Sequence, residues 1–186
     1  MVLITQSGAE TLSIGSPAPD FKDLPATDGK TYSLSSFQDA KVLVVSFTCN
    51  HCPYAQAYED RFIALAKEFA PRGVAFAAIN PNDAAGYPAD GFDKMVERAQ
   101  EKAFPFPYLR DESQAVAKAY GAVCTPHLFV FDGARKLAYE GRIDDNWKKP
   151  DQVKSQDLRH AIEDLLAGKP VRVPNTNPMG CSIKWK

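Results

Sequence analysis

The residues with the clearest chemistry are Cys49 and Cys52, which frame the tetrapeptide Cys49-Asn50-His51-Cys52. Two thiols three residues apart can be bridged by a disulfide. A thiolate at the start of a helix is stabilised by free backbone N–H groups and the positive end of the helix dipole. The flanking sequence supplies that setting: the apolar run Val42-Leu43-Val44-Val45-Ser46-Phe47 reads as a buried strand, and an amphipathic stretch from Tyr54 to Phe69 follows the pair. The spacing alone says little, but in this setting it points to redox chemistry. By position Cys49, at the helix start, is the more exposed thiol and attacks, while Cys52, one turn in, resolves the mixed disulfide. The imidazole of His51 can stabilise the Cys49 thiolate and make the couple more oxidising. Pro53 costs little at an early helical position, because its missing N–H would have been unpaired there anyway. The bland alternatives are two core or metal-ligand cysteines and an exposed histidine with no role.

The elements that must position these residues belong to a chain of 186 residues, long enough for one domain (1–186) with a real core. Hydrophobic residues make up 45% and charged residues 24%, and the formal charge is −1, so the balance favours no nucleic-acid partner. No apolar run approaches the roughly 18–20 residues that span a bilayer, and the start of the chain lacks a basic n-region and a long apolar core. No membrane association and a cytoplasmic location are therefore expected. Four cysteines, at 49, 52, 124 and 181, do not suggest a disulfide-stapled scaffold.

Residues 1–16 are polar and expected to be peripheral. Strand 42–48, a helix ended by Pro71 and Gly73, and the short strand 74–79 make a β-α-β unit with a parallel pair. A turn-rich stretch and a helix bearing Phe92, Met95, Val96, Ala99 and Ala103 follow. The prolines in Phe104-Pro-Phe-Pro-Tyr-Leu109 predict an extended link. Asp111 is expected to cap a short helix ending at Gly121; residues 127–131 and 137–143 read as a hairpin; Leu158 to Leu166 read as the last helix. The tail 169–186 carries Met179, Cys181, Ile183 and Trp185 and is expected to dock. This order is that of an α/β thioredoxin-like fold: a mixed central sheet with helices on both faces, an N-terminal extension, an insertion after the first β-α-β unit and a C-terminal tail.

In that fold the Thr125-Pro126 step faces the cysteine pair. A cis proline there would leave the Thr125 backbone free to pair with an extended substrate, so Thr125 and Pro126 are candidate substrate-binding residues; an ordinary trans turn is the alternative. Cys124 could be a third thiol near the site, although a small buried apolar side chain is the preferred reading. Cys181 could be a distal resolving thiol or a packed tail residue, with packing slightly preferred. His127 and His160 have no identifiable partner.

With these residues in hand, the chain resembles the peroxiredoxin-like branch of the alkyl hydroperoxide reductase/thiol-specific antioxidant (AhpC/TSA) group of the thioredoxin superfamily. The resemblance spans about Gly15 to Leu166. It rests on Ala18-Pro19-Asp20-Phe21, Phe47-Thr48-Cys49-Asn50-His51-Cys52-Pro53, Phe106-Pro107-Tyr108-Leu109-Arg110-Asp111, Ala119-Tyr120-Gly121 and Thr125-Pro126, with the ending Gly180-Cys181-Ser182-Ile183-Lys184-Trp185. The resemblance implies thiol chemistry, and the departures choose between two kinds. Peroxiredoxins carry P-x-x-x-T-x-x-C and a later arginine. Counting back from Cys49, Ser46 fills the threonine slot and Val42 the proline slot; counting from Cys52, Cys49 and Val45 fill them. The Thr125-Pro126 turn stands where the arginine would align. Thioredoxin's tryptophan slot holds Thr48, and strand 42–48 has no acid, so His51, Glu59 or water must accept protons.

The expected function is thiol–disulfide exchange on protein or small-molecule disulfides and thiols, with no cofactor and no bound metal. A second reading is a thiol peroxidase in which Cys49 becomes a sulfenic acid and Cys52 or Cys181 condenses with it. A third is copper or zinc binding by Cys49, Cys52 and a histidine. The sequence leaves the electron donor and the oligomeric state open.

Overall fold

The computed structural model describes residues 11–186, so the expectation for residues 1–10 lies outside the described residues. In chain order the elements are β1 (Leu24–Pro25), β2 (Thr31–Tyr32), β3 (Val42–Phe47), α1 (Pro53–Phe69), β4 (Val74–Asn80), α2 (Phe92–Glu101), β5 (Tyr108–Arg110), α3 (Ala115–Tyr120), β6 (Cys124–Thr125), β7 (His127–Phe131), β8 (Leu137–Gly141), α4 (Asp157–Leu166) and β9 (Cys181–Ser182). The central sheet runs β5-β4-β3-β7-β8. Strands β3, β4 and β5 are mutually parallel, and β7 and β8 run antiparallel to their neighbours, as a mixed sheet requires.

Side chains of a strand alternate between faces, so a central strand covered on both faces must be apolar throughout. Every residue of β3 is buried. Leu43, Val45 and Phe47 enter a core with Phe129, Phe131, Val116, Ala117 and Tyr120. Val42 and Val44 enter the opposite core, with Tyr58, Phe62 and Phe69 of α1 and Leu158, Ala161 and Ile162 of α4. Helices α1 and α4 thus cover one face, and α3 with the β1–β2 hairpin region covers the other. Among the described residues no helix is long and apolar enough to cross a membrane.

Three segments differ from the sequence expectation. The Phe104–Leu109 link ends in a true strand: β5 pairs with β4 through Ala78↔Tyr108, Ile79↔Leu109 and Asn80↔Arg110. Prolines 105 and 107 hide it in the sequence, yet a proline just outside an edge strand is compatible with pairing. Helix α3 begins after Gln114, and Asp111 still caps it at a distance, accepting from the Ala117 N–H at 2.9 Å. Leu12, within the segment expected to be peripheral, packs against the first core, and its N–H reaches the Tyr120 carbonyl at 3.2 Å. The tail does dock: Ile183 is buried in the same core, and β9 pairs antiparallel with β6.

Candidate active site

Strand register decides what meets the cysteine pair. Strands β3 and β7 pair through Leu43↔Phe131 to Phe47↔His127, and continuing that count past the strand ends puts residue 49 level with residue 125. Cys52, expected one turn inside the helix, is instead the N-cap of α1 with Pro53 at the first helical position, and Cys49, expected at the helix start, lies before the helix. Thr125 then meets both thiols: its Oγ1 lies 3.2 Å from Cys49 Sγ, and its carbonyl oxygen lies 3.2 Å from Cys52 Sγ. The Thr125–Pro126 peptide is cis, and Pro126 packs beside Cys49. Cys181 is the third sulfur of the cluster, 2.7 Å from Cys52 Sγ.

Two expectations about exposure and access change. Cys49 is only 2% exposed and Cys52 0%, with Thr125 of β6 against both sulfurs and Cys181 of β9 against Cys52. Cys181 is the partly exposed thiol of the three. The edge of Thr125, expected to be free for a substrate strand, is taken by the chain's own tail through Thr125↔Cys181. Gly180 makes that approach possible. A Cβ there would run into the Thr125 carbonyl, so the absence of a side chain lets the tail lie against the cis step.

Donors and burial set the charge distribution in the sulfur cluster. Cys52 is held below the ordinary thiol range, first by the hydrogen bond from Cys49 and also by Cys181 and the Ala55 N–H, against the cost of burial. Cys49 is pushed up, chiefly because it donates to Cys52, then by burial and by the nearby Asp90 charge. Burial raises Cys181 as well, with its hydrogen bond to Cys52. Of the three sulfurs, Cys52 is the one whose thiolate form these hydrogen bonds favour. When the proton shifts from Cys49 to Cys52, both new states find partners: the Cys52 S–H can donate to the Thr125 carbonyl, and the Cys49 thiolate can accept from the Thr125 hydroxyl.

The sequence reading missed Asp90. It is 0% exposed and collects donors from two segments, residues 50–51 and 80–82. Oδ1 accepts the Asn50 N–H at 2.7 Å and Asn80 Nδ2 at 3.4 Å; Oδ2 accepts Asn82 Nδ2 at 2.8 Å and pairs with His51 Nδ1 at 2.5 Å. A carboxylate only accepts, so Nδ1 of His51 carries the proton. Tyr87 stacks on the imidazole, with ring centroids 5.4 Å apart and planes 9° off parallel. Asn50 is equally committed, donating to the Ala89 carbonyl and accepting from the Tyr108 hydroxyl, both at 2.9 Å. The acid absent from strand 42–48 thus arrives from the insertion, and no local pattern around Pro88-Ala89-Asp90-Gly91 marks it. Glu59, a sequence candidate for proton acceptor, is held by Arg98 at 3.0 and 2.6 Å. It lines a cavity of about 20 Å³ behind Cys49 together with Ser46, Thr48, Tyr108 and Pro126, room for about one water molecule.

The remaining candidates fall into place around this cluster. Cys124 is buried, with its thiol pushed up to about 12 by burial. His127 is buried against Glu140 at 2.7 Å and does not face the sulfurs. Cys49, His51 and Asp90 present ligand atoms within 4.8 Å of one another, the one such grouping among the described residues. The His51 and Asp90 atoms in it are already paired with each other.

Residues 14–140 match the AhpC/TSA family. No curated protein matches the chain. Two solved structures are similar along nearly the whole length. An uncharacterized conserved protein from Geobacillus kaustophilus is 40% identical with a TM-score of 0.90, covering 95% of this chain and 94% of its own. A hypothetical protein from Sinorhizobium meliloti 1021 is 37% identical with a TM-score of 0.89, covering 95% and 97%. Peroxidoxin BcpB from Mycobacterium tuberculosis, 23% identical over 84% of this chain and 95% of its own, shares the fold with a TM-score of 0.59. The register that sets a cysteine pair against a Thr-Pro step and the family match over most of the sheet agree, and the chain belongs to the AhpC/TSA family as a thiol-dependent redox enzyme of thioredoxin-like fold.

Proposed function

We propose that the protein is a thiol–disulfide oxidoreductase whose Cys49 and Cys52 cycle between dithiol and disulfide. The observation that carries this reading is the double use of Thr125, whose hydroxyl faces Cys49 and whose carbonyl faces Cys52. The proton shared by the pair passes to Cys52 as Cys49 attacks a substrate disulfide. The mixed disulfide is then resolved by Cys52, which releases the second substrate thiol and closes the Cys49–Cys52 bond. His51, oriented by Asp90, offsets that carboxylate's charge beside Cys49 and so favours the thiolate. Thr125 and Pro126 face the sulfur pair from within the chain, and the place beside Thr125 that a substrate strand would take is held by Cys181 of the tail. The test is Cys52→Ser protein mixed with glutathione disulfide. A stable mixed disulfide mapped to Cys49 is expected; wild-type protein that leaves glutathione disulfide and a model protein disulfide unreduced would overturn the reading.

Burial favours a second reading, thiol peroxidase. A sulfur 2% exposed beside a cavity of about 20 Å³ is reached more easily by a small oxidant than by a protein. Stopped-flow reaction with hydrogen peroxide decides between them. A rate orders of magnitude above that of a free thiolate, lost in Cys49→Ser, moves the assignment to peroxidase.

A further inference from the structure

We propose that Cys181 is a third redox thiol of this site, exchanging with Cys52 to carry oxidation from the buried pair to the surface. The proposal rests on the thiol–disulfide reading above and adds a residue and a route to it. Three independent features point to it. The Cys52 and Cys181 sulfurs are 2.7 Å apart, within about 0.7 Å of bonding distance. Cys181 lies opposite Thr125 in an antiparallel pair, the place a substrate strand would take by strand addition. It is also the partly exposed sulfur, whereas Cys49 and Cys52 are 2% and 0% exposed.

The tail is built to hold that sulfur in place. Ile183 is buried in the core and its N–H reaches the Val123 carbonyl at 3.3 Å. The Lys184 N–H donates to Asn82 Oδ1 at 2.9 Å, and its carbonyl accepts Gln114 Nε2 at 2.9 Å. Asn82 in turn donates to Asp90, so the tail and the histidine–aspartate pair share one hydrogen-bonded frame. Cys181 is thereby presented to Cys52 without the rest of the tail having to move.

The exchange balances internally. After substrate reduction the site holds the Cys49–Cys52 disulfide. Cys181 loses its proton and its sulfur attacks Cys52; the Cys52–Cys181 bond forms and the Cys49–Cys52 bond breaks. Cys49 leaves as a thiolate and takes up a proton. Cys181 is oxidised and Cys49 reduced, with no outside reagent. An external dithiol then attacks the partly exposed Cys181 sulfur and releases Cys52; its second thiol closes its own disulfide, which returns the trio to the reduced state.

The test uses full-length protein, fully reduced and then treated with one equivalent of diamide, a thiol oxidant. Free thiols are trapped by alkylation in acid and the disulfide-linked peptides are mapped by mass. A Cys52–Cys181 peptide, with Cys49 alkylated in the same molecules, is expected at a tenth or more of the oxidised population. Cys49→Ser protein is expected to form that bond alone. Oxidised Cys181→Ser protein is expected to be reduced at least tenfold more slowly by a protein dithiol than the wild type. A map holding only Cys49–Cys52, with Cys181 always free, would overturn the role of Cys181 and leave the parent reading standing. A map with no intramolecular disulfide would overturn both.

Discussion

Replacing Asp90 with asparagine tests the buried frame more sharply than removing a sulfur. The carboxylate accepts from Asn50 N, Asn80 Nδ2, Asn82 Nδ2 and His51 Nδ1. An amide at this position must turn its own donor toward two of those donors, whichever way it is flipped. His51 can escape by shifting its proton to Nε2. Asn82 cannot flip freely, because its oxygen holds the Lys184 N–H at 2.9 Å. The net loss is about two charge-assisted hydrogen bonds, each worth roughly 1.5–3 kcal/mol. Together they cost about 3–6 kcal/mol, or a fall in Tm of roughly 6–24 °C for a chain of this size. Urea unfolding of fully reduced wild-type and Asp90→Asn protein measures the loss. Because Asp90 also raises the Cys49 thiol, the variant should alkylate Cys49 at lower pH than the wild type. A stability change under 1 kcal/mol together with an unmoved alkylation profile would refute the accounting for Asp90.

Three further outcomes are expected. The reduction potential of the pair should lie above the roughly −270 mV of thioredoxin, and His51→Asn, which leaves Asp90 unbalanced beside Cys49, should lower it by about 30 mV; equal potentials in redox-buffer equilibration would remove His51 as a tuning residue. In the native reduced protein at pH 8, Cys124 should alkylate more slowly than the partly exposed Cys181, since it is buried and burial pushes it up to about 12; labelling of Cys124 ahead of Cys181 would contradict this. Arg172 hydrogen-bonds Asp164 and holds it at about 2, against an ordinary value of 3.8. A carboxyl depressed on folding contributes stability above its unfolded value that is lost as pH falls through its folded one. Stability should therefore decline between about pH 4 and 2, and less steeply in Arg172→Ala; identical acid-unfolding curves would show that the pair contributes nothing.

Much of this architecture is legible because burial imposes periodicity. The Val42–Phe47 run, apolar but for Ser46, reads as a central strand, and the helical spacing of Tyr58, Phe62, Leu65 and Phe69 marks the face that covers it. Once those elements are in order, the placement of Thr125-Pro126 beside Cys49 follows from fold order and register. What the sequence hides is long-range and polar. Asp90 reaches residues 50 and 51 across some 40 positions with nothing periodic to announce it. β5 is masked by its flanking prolines, and the pairing of Thr125 with Cys181 joins residues that no local pattern connects. Cysteine exposure depends on these same long-range coverings, which is why Cys49 reads as accessible in sequence and is buried in the fold.

The contact between Cys52 and Cys181 also has a topological meaning. The two residues are 129 positions apart, so a bond between them would turn most of the chain into a ring, whereas the Cys49–Cys52 bond closes a loop of four residues just before α1. Loop-closure entropy favours the large ring: removing that freedom from the unfolded chain is worth about 5 kcal/mol, against about 2 kcal/mol for the small loop. Moving one disulfide by a single exchange would then leave the overall oxidation state unchanged while altering how readily the domain unravels. In that sense the position of the bond, separately from its presence, would set the protein's resistance to unfolding and to proteases that act on opened chains.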